Sequence, residues 1–240
     1  LFAGAQFGYA FRNTVYMALL NLTLGFIIPV ILGLLISQVR NKRTSRVVQT
    51  TTYMPYFVAP VVVCTLAKEF LKEGGAITMF LTMFGLPNQN WLAVNSPVFW
   101  FINCFLGIWQ GAGYGAIVYI AAINGIDQNL YEAACIDGAS RWQRLWNITI
   151  PSVVPLVVMM FTMQIGLVFM TGFDKGLLLY MPTTYEFSDC LSTYTYRMAF
   201  SAGNDFSLST ASGLLQSIIG TLLLIFGNKM SEKATKMSLF

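Results

Sequence analysis

The chain has 240 residues, of which 56% are hydrophobic and 10% are charged. Soluble domains carry about 25% charged residues, so this composition excludes a water-soluble globular protein and indicates an integral membrane protein. Histidine is absent, which excludes histidine metal sites and His-based catalytic triads, and the four scattered cysteines show no zinc or disulfide spacing.

Five apolar stretches are long enough to span a bilayer, which requires about 20 helical residues. In chain order they cover residues 15–39, 47–71, 97–124, 153–172 and 207–228. A shorter periodic stretch over 75–84 is expected to lie at the membrane interface. The sequence contains no repeat and no soluble domain, so we expect an all-α, polytopic helical bundle that forms a single membrane domain over residues 1–240.

The basic residues predict how this bundle is oriented. Nine of the 14 lysines and arginines, but only four of the ten acidic residues, fall in alternate connections on one side. The positive-inside rule places that side in the cytoplasm. Five alternating spans then leave Leu1 outside, and because the chain begins without methionine we expect a preceding segment that completes a six-helix core. The basic residues of the cytoplasmic side are Arg40, Lys42, Arg43, Arg46, Arg141, Arg144, Lys229, Lys233 and Lys236.

The predicted cytoplasmic loop over 126–151 has the pattern of two short helices joined at a glycine. Asp127 is placed to cap the first helix, and Gly138 is placed to end it. Ser140 and Gln143 have the spacing of a capping box for the second helix. Pro151 fits the first turn of the span that follows.

The first of these helices is small, smooth and acidic, because Glu132 is followed by Ala133 and Ala134. The second helix has an aromatic face that contains Trp142 and Trp146. A smooth helix that is held outside the membrane by a second helix with an aromatic face is typical of a surface on which another protein docks. An ordinary interfacial loop is the alternative.

The same loop carries a family motif. Glu132-Ala133-Ala134, Gly138 and Ile148-Thr149-Ile150-Pro151 follow the pattern Glu-Ala-Ala-x3-Gly-x9-Ile-x-Leu-Pro, with Ile150 at the Leu position. This pattern resembles the EAA loop of ABC importer permeases. The neighbouring Leu130-Tyr131 is similar to the carbohydrate-uptake, maltose-type branch of that family.

One segment departs from the common pattern of sugar permeases. Many of them have a Gly-Gly-Pro turn after the fourth span, where this chain has Gly172-Phe173-Asp174-Lys175-Gly176. That segment resembles a subgroup associated with the import of oligosaccharides from complex polysaccharides in Gram-positive bacteria.

The resemblance implies a permease that works with several partners in a bacterial cytoplasmic membrane. The chain has no Walker pattern, so we expect no enzyme activity and no cofactor in it, with ATP and Mg²⁺ bound by two separate ATPase subunits. The other implied partners are a second homologous permease, an extracellular solute-binding protein, membrane lipid and an oligosaccharide; nucleic acid is not indicated. The residues implied to couple to the ATPase are Glu132, Ala133, Ala134, Asp137, Gly138 and Pro151.

Polar and aromatic side chains within the spans are the candidates for the substrate path. Sugars are bound by amide and hydroxyl groups together with aromatic faces, so these residue types suit a neutral, polyhydroxylated solute. The alternative is that the amides bond between helices and the aromatic rings form interfacial belts. The candidates are Asn103, Trp109, Gln110, Tyr114, Tyr119, Asn124, Gln164 and Gln216.

Three other functions stay open at this point. An ABC importer permease for another solute, such as an amino acid, phosphate or a metal, is one, and a membrane anchor without a transport role is another. The third is an ion-coupled secondary transporter or a channel. No charged residue lies deep in a predicted span, which argues against an ion-coupled carrier because such carriers commonly use intramembrane acids.

Overall fold

The computed structural model describes residues 4–170, 172–200 and 205–235. Over these residues the chain forms helices and no strand, which confirms the all-α prediction. The helices are α1 (Ala5–Ser37), α2 (Lys42–Phe57), α3 (Pro60–Leu71), α4 (Ala76–Thr82), α5 (Val98–Asn124), α6 (Gln128–Ile136), α7 (141–167), α8 (Phe173–Leu179), α9 (Tyr185–Ser188), α10 (Leu191–Phe200) and α11 (Phe206–Thr235). Lys236 of the predicted basic tail and Thr171 of the fourth predicted span lie outside the described residues.

Within the described part of the chain, four helical segments are long and apolar enough to cross a bilayer. They contain α1, α5, α7 and α11. A fifth crossing is obtained if α2 and the bent segment that follows it are counted as one span. The bundle of membrane-crossing helices expected from the apolar stretches is therefore present.

The second predicted span, 47–71, is not one continuous helix. The axis turns by 91° between α2 and the segment that begins with α3. Val58 and Ala59 at this break have extended backbones, with ψ of 127° and 138°. Pro60 explains the break, because a proline disfavours helical geometry in the preceding residue and cannot donate a backbone hydrogen bond. Gln110 of α5 satisfies the freed backbone, since its Nε2 donates to the Val58 carbonyl oxygen at 2.7 Å.

Helix α1 begins ten residues before the first predicted span, 15–39. Its first turns contain Asn13 and Thr14, which are polar and almost completely buried. Asn13 Nδ2 donates to the Asp189 carbonyl oxygen at 2.8 Å, and the Leu191 N–H donates to Thr14 Oγ1 at 2.8 Å. A hydropathy pattern misses this part of the helix because its polar groups are satisfied by residues distant in sequence.

Close backbone contacts hold the long helices together around α5. A Cβ built on Gly113 would lie 2.1 Å from the Thr52 carbonyl oxygen, so only glycine allows α2 to cross α5 at this point. Similarly, a Cβ on Gly220 of α11 would lie 2.8 Å from the Gly166 carbonyl oxygen of α7. Helices α1, α2 and α7 all pack on α5, and α11 packs on α7.

The two ends of the bundle differ in chemistry. At one end α1 finishes, α6 lies outside the long helices and α7 begins; we call this the basic end, after Arg40, Arg141 and Arg144. At the opposite end, α9 and α10 cover the first turns of α1, and a buried ion pair joins Asp189, which precedes α10, to Arg197 within α10.

The ion pair at the opposite end is embedded in further contacts. Thr193 Oγ1 donates to Asp189 Oδ1 at 2.7 Å, and the Arg197 guanidinium lies 4.3 Å from the centre of the Tyr185 ring. Burial raises the pKa of the Asp189 carboxyl group, while the Thr193 hydrogen bond and the Arg197 charge act in the opposite direction. These contacts hold α9 and α10 together, and the Asn13 hydrogen bond to the Asp189 carbonyl oxygen joins them to the start of the chain.

Candidate functional site

Helix α6 has well-defined signals at both ends. The Asp127 carboxylate accepts a hydrogen bond from the Asn129 N–H at 3.0 Å, as the sequence predicts for an N-cap. After Asp137, Gly138 has φ of +77°, which is the left-handed conformation that ends many helices. A Cβ on Gly138 would meet nothing within 4 Å, so glycine is required here for backbone conformation and not for space.

The surface of α6 is open. None of its side chains is buried, and the predicted coupling residues Glu132, Ala133 and Asp137 are exposed. Leu130 is 51% exposed and Ile136 is 86% exposed. An isolated helix of nine residues is marginal in water, so a helix of this kind that presents apolar side chains has the properties of a surface that another protein covers.

Two contacts attach α6 to the bundle. The Tyr131 hydroxyl lies 2.9 Å from Thr149 Oγ1, and Thr149 is buried in the first part of α7. The Arg144 guanidinium bonds to the sulfur of Cys135. Through these contacts α6 is fixed to α7, a membrane-crossing helix.

The second predicted helix of the loop is not a separate element. The capping box is confirmed, because the Ser140 side chain accepts from the Gln143 N–H and the Gln143 side chain accepts from the Ser140 N–H. From Arg141 the helix continues through a π turn at Leu145–Thr149 into Ile150–Leu167. The π turn lets the helix pass Pro151, which lacks the N–H that a regular α-helical ladder requires.

Several candidates for the substrate path are instead held by protein groups. Gln110 bonds to the break after α2, as described above. Gln216 Nε2 donates to Thr195 Oγ1 at 3.0 Å, and Ser192 Oγ donates to Gln216 Oε1 at 3.2 Å. Tyr119 is buried, with its Cβ next to Gly33 of α1. These three side chains connect helices in this structure.

The other candidates lie at separate places along the bundle. Asn103 is buried, and its Nδ2 has no hydrogen-bond partner within the described ranges. Gln164 lines a cleft of about 350 Å³ between α1, α5 and α7, together with Asn21. Trp109 lies in an apolar groove between α3 and α5, and Asn124 lines a cleft at the basic end. The structure therefore does not gather the predicted path residues into one pocket.

Tyr114 forms a feature that the sequence did not predict. Its ring stacks on Tyr56 with a centroid distance of 3.9 Å and an interplanar angle of 4°, and both side chains are about half exposed. Tyr114 lies in the middle third of α5, and Tyr56 lies two residues before the break at Val58 and Ala59. The only sequence signal for Tyr56 was its position between Pro55 and Pro60, at a predictable interruption of the span.

A family model described as "Binding-protein-dependent transport system inner membrane component" matches residues 25–236. Among curated relatives, the polygalacturonan/rhamnogalacturonan transport system permease protein YteP of Bacillus subtilis (strain 168) is 34% identical over 97% of this chain and 72% of its own length. The sn-glycerol-3-phosphate transport system permease protein UgpA of Yersinia enterocolitica is 31% identical over 94% of this chain and 74% of its own length.

Two solved structures are also similar. A bacterial ABC transporter involved in the import of the acidic polysaccharide alginate contains a chain that is 37% identical, with a TM-score of 0.92 over 98% of this chain and 82% of that one. The same degree of identity and a TM-score of 0.93 over 100% of this chain and 83% of that one are found for a bacterial alginate ABC transporter in complex with an alginate pentasaccharide-bound periplasmic protein. These matches confirm the resemblance to ABC importer permeases, and the chain belongs to the family of inner-membrane components of binding-protein-dependent transport systems.

Proposed function

We propose that this chain is the permease subunit of an ABC importer for an oligosaccharide and that α6 is the helix on which a separate ATPase subunit docks. The observation that carries the docking role is α6 itself. It lies outside the membrane-crossing helices, buries none of its side chains, and is linked to α7 by the Tyr131 and Arg144 contacts. The importer also contains a second permease, a second ATPase subunit and an external solute-binding protein, with ATP and Mg²⁺ held by the ATPase subunits.

The exposed surface of α6 contains groups that favour a protein partner. Burial of a Leu or Ile side chain contributes about 1.5–3 kcal/mol, so covering Leu130 and Ile136 would supply a substantial part of a binding energy. The Glu132 carboxylate has no salt-bridge partner in the described part of the chain. It would pair with a basic group of the ATPase, while Ala133 keeps the two backbones close.

The Tyr56–Tyr114 pair supports a sugar path beside the break. In the hydrocarbon region, non-helical backbone is tolerated only where it is buried in protein or lines a water-filled cavity. The extended backbone of Val58 and Ala59, together with two half-exposed tyrosines, supports a face that is covered by protein or lines a water-filled path. Stacked aromatic rings with hydroxyl groups provide the faces and donors that sugars need.

The relatives support an oligosaccharide over a small phosphorylated solute. The names of YteP and of the two solved transporters refer to polysaccharides, and their chains are 34–37% identical to this one. UgpA, named for sn-glycerol 3-phosphate, is 31% identical. The substrate of this chain is accordingly a short fragment of a polysaccharide.

Glu132→Lys tests the docking role. We expect this variant to lose the ATPase subunits during purification and to lose ATP-driven uptake in proteoliposomes, because it reverses the charge at the contact. Glu73→Lys is the matched control, since Glu73 is also exposed but lies at the opposite end of the bundle. Retention of the ATPase and of uptake by Glu132→Lys would contradict the proposal.

The substrate path is tested by uptake into proteoliposomes that contain the complete importer and its binding protein. We expect ATP-dependent uptake of labelled oligogalacturonate or alginate oligosaccharide, and none of sn-glycerol 3-phosphate. Tyr56→Leu and Tyr114→Leu should each reduce uptake about tenfold, which corresponds to about 1.4 kcal/mol, with ATPase binding unchanged.

Tyr16→Leu is the control for the tyrosine variants. Tyr16 also stacks on an aromatic ring, that of Trp100, at 4.5 Å and 12°, but near the opposite end of the bundle. Equal losses in all three variants would remove the specific role of the Tyr56–Tyr114 pair. Uptake driven by an ion gradient without ATP would instead favour a secondary transporter.

A further inference from the structure

A polar cleft of about 490 Å³ opens at the basic end of the bundle. It lies where the ends of α1 and α5 meet the beginnings of α6 and α7. Arg40 enters it from the connection after α1, and Arg141 and Arg144 enter it from the first turn of α7. The fold therefore brings together cationic side chains that are about a hundred residues apart in sequence.

These three arginines have no anionic partner in the described chain. The salt bridges found there are Lys72–Glu69 and Arg197–Asp189, both at the opposite end, and no Asp or Glu lines the cleft. In addition, Nε of Arg144 is buried and makes no hydrogen bond to any described residue. A buried donor without an acceptor costs about 1–3 kcal/mol, so the cleft favours a ligand that supplies acceptor oxygens and negative charge.

The rest of the lining narrows the chemistry of that ligand. Gln38, Asn124 and Gln128 add neutral amide groups, while Val39 and Ile123 give the cleft an apolar side. Several guanidinium groups converging on one point suit a phosphate group, which has a tetrahedral set of oxygens and accepts paired hydrogen bonds from arginine. The apolar side suits a ligand that continues into a hydrocarbon chain.

The position of the cleft relative to the bilayer favours a lipid as the source of the phosphate. Trp142 and Trp146 lie on the same turns of α7 as the arginines and are 67% and 56% exposed. Exposed tryptophans beside a membrane-crossing helix are typical of the headgroup level. Basic pockets between helices on the cytoplasmic side bind anionic lipid headgroups.

We infer that the cleft binds a phosphate group supplied by an anionic phospholipid of the inner leaflet. Gln128 and Tyr131 of α6 line the same cleft, and Arg144 also contacts Cys135 of α6. A lipid bound there braces α6 against the bundle and holds the arginines in place. The effect of this brace on ATPase docking rests on the proposed function, whereas the binding of lipid does not.

The test compares two triple variants that remove the same amount of charge from the same end of the bundle. The cleft variant is Arg40→Gln/Arg141→Gln/Arg144→Gln, and the control is Lys42→Gln/Arg43→Gln/Arg46→Gln, whose residues lie in α2 and outside the cleft. The complete transporter is reconstituted with phosphatidylglycerol or phosphatidylcholine, extracted in detergent, and analysed by native mass spectrometry for retained lipid.

We expect the wild type and the control to retain phosphatidylglycerol in preference to phosphatidylcholine, and the cleft variant to lose this preference. Each arginine near a headgroup is expected to contribute about fivefold in affinity. The affinity of the cleft variant for phosphatidylglycerol should therefore be at least tenfold lower than that of the wild type. Because Arg144 contacts Cys135, the double variant Arg40→Gln/Arg141→Gln serves if the triple variant does not fold. The double variant removes exposed side chains only, and its affinity for phosphatidylglycerol should still fall at least tenfold.

Four outcomes would overturn the inference. Equal loss in the cleft and control variants would mean that these charges are ordinary solvated cations. Retention of phosphatidylglycerol by the cleft variant would mean that the lipid binds elsewhere, and displacement of the lipid by millimolar inorganic phosphate would identify a free anion as the ligand. Loss of the ATPase subunits with lipid retention unchanged would make the cleft a protein contact. If Glu132→Lys abolishes docking but retains the lipid, the inference stands on its own.

Discussion

Gly138 is the residue whose conformation sets the end of α6, the helix proposed to dock on the ATPase. Its φ of +77° lies in a region that costs other L-residues about 1–2 kcal/mol, with Asn the best tolerated. We therefore expect ATPase binding and ATP-driven uptake to fall in the order Gly, Asn, Ala, Val at this position. Purification of the complete importer with each variant, followed by a measurement of uptake, gives this order.

The order separates a conformational requirement from a steric one. Asn is larger than Ala, yet it adopts the left-handed conformation more easily, so a better result for Gly138→Asn than for Gly138→Ala supports the backbone explanation. If uptake falls with side-chain size alone, close contact with the ATPase is the cause. The melting temperature of the permease should change little in all of these variants, because α6 buries none of its side chains.

At the scale of elements, the buried Asp189–Arg197 pair joins α10 to the connection after α9, whose Asp189 carbonyl oxygen accepts a hydrogen bond from Asn13 of α1. Asp189→Asn keeps the shape of the side chain but leaves the Arg197 charge buried without its counter-ion. Removing one partner of a buried pair costs about 3–5 kcal/mol, so we expect a clear decrease in the thermal unfolding midpoint in detergent. Glu69→Gln breaks the exposed Glu69–Lys72 pair and is the control, for which we expect little change.

A comparison of single and double variants provides a second check on the Asp189–Arg197 pair. Asp189→Leu/Arg197→Met removes both charges and should be less destabilising than Asp189→Asn alone, because no unpaired charge stays buried. An unfolding midpoint for Asp189→Asn equal to that of the wild type would show that the pair does not hold α10 in place.

The elements show which parts of the fold the sequence predicted. Long apolar stretches identified the membrane-crossing helices, and the caps at Asp127 and Ser140 placed the starts of α6 and α7, because these signals are local. The break at Val58 was predictable in principle from Pro60. The continuation of the loop into α7 was not, because Pro151 is compatible either with a helix start or with a π turn, and tertiary packing decides between them.

The candidate residues of the substrate path show what local sequence signals did not predict. Gln110 and Gln216 satisfy the pattern of a sugar contact, but their partners are the Val58 carbonyl oxygen and the Thr195 hydroxyl group, which only the fold brings near. Tyr56, which we propose to line the path, was not among the candidates because an aromatic residue within an apolar stretch has the same pattern whether it faces lipid or a path. Polar and aromatic identity alone does not tell a lining residue from one that connects helices.

At the scale of the whole molecule, the orientation across the membrane is open to a direct measurement with native residues. All four cysteines belong to the described residues; Cys64, Cys104 and Cys190 are buried, and Cys135 of α6 is exposed. The excess of basic residues predicts that α6 lies in the cytoplasm. A membrane-impermeant maleimide should therefore label inside-out vesicles and leave right-side-out vesicles unlabelled.

Labelling also reports on docking. We expect Cys135→Ser to abolish the signal, and we expect the ATPase subunits to slow the labelling of Cys135, because a partner docked on α6 restricts access to this exposed thiol beside Arg144. Labelling of right-side-out vesicles at Cys135 would place α6 outside the cell and remove the basis for an ATPase contact. Labelling from the cytoplasmic side with no protection by the ATPase would keep the orientation but move the docking surface away from the end of α6 that contains Cys135.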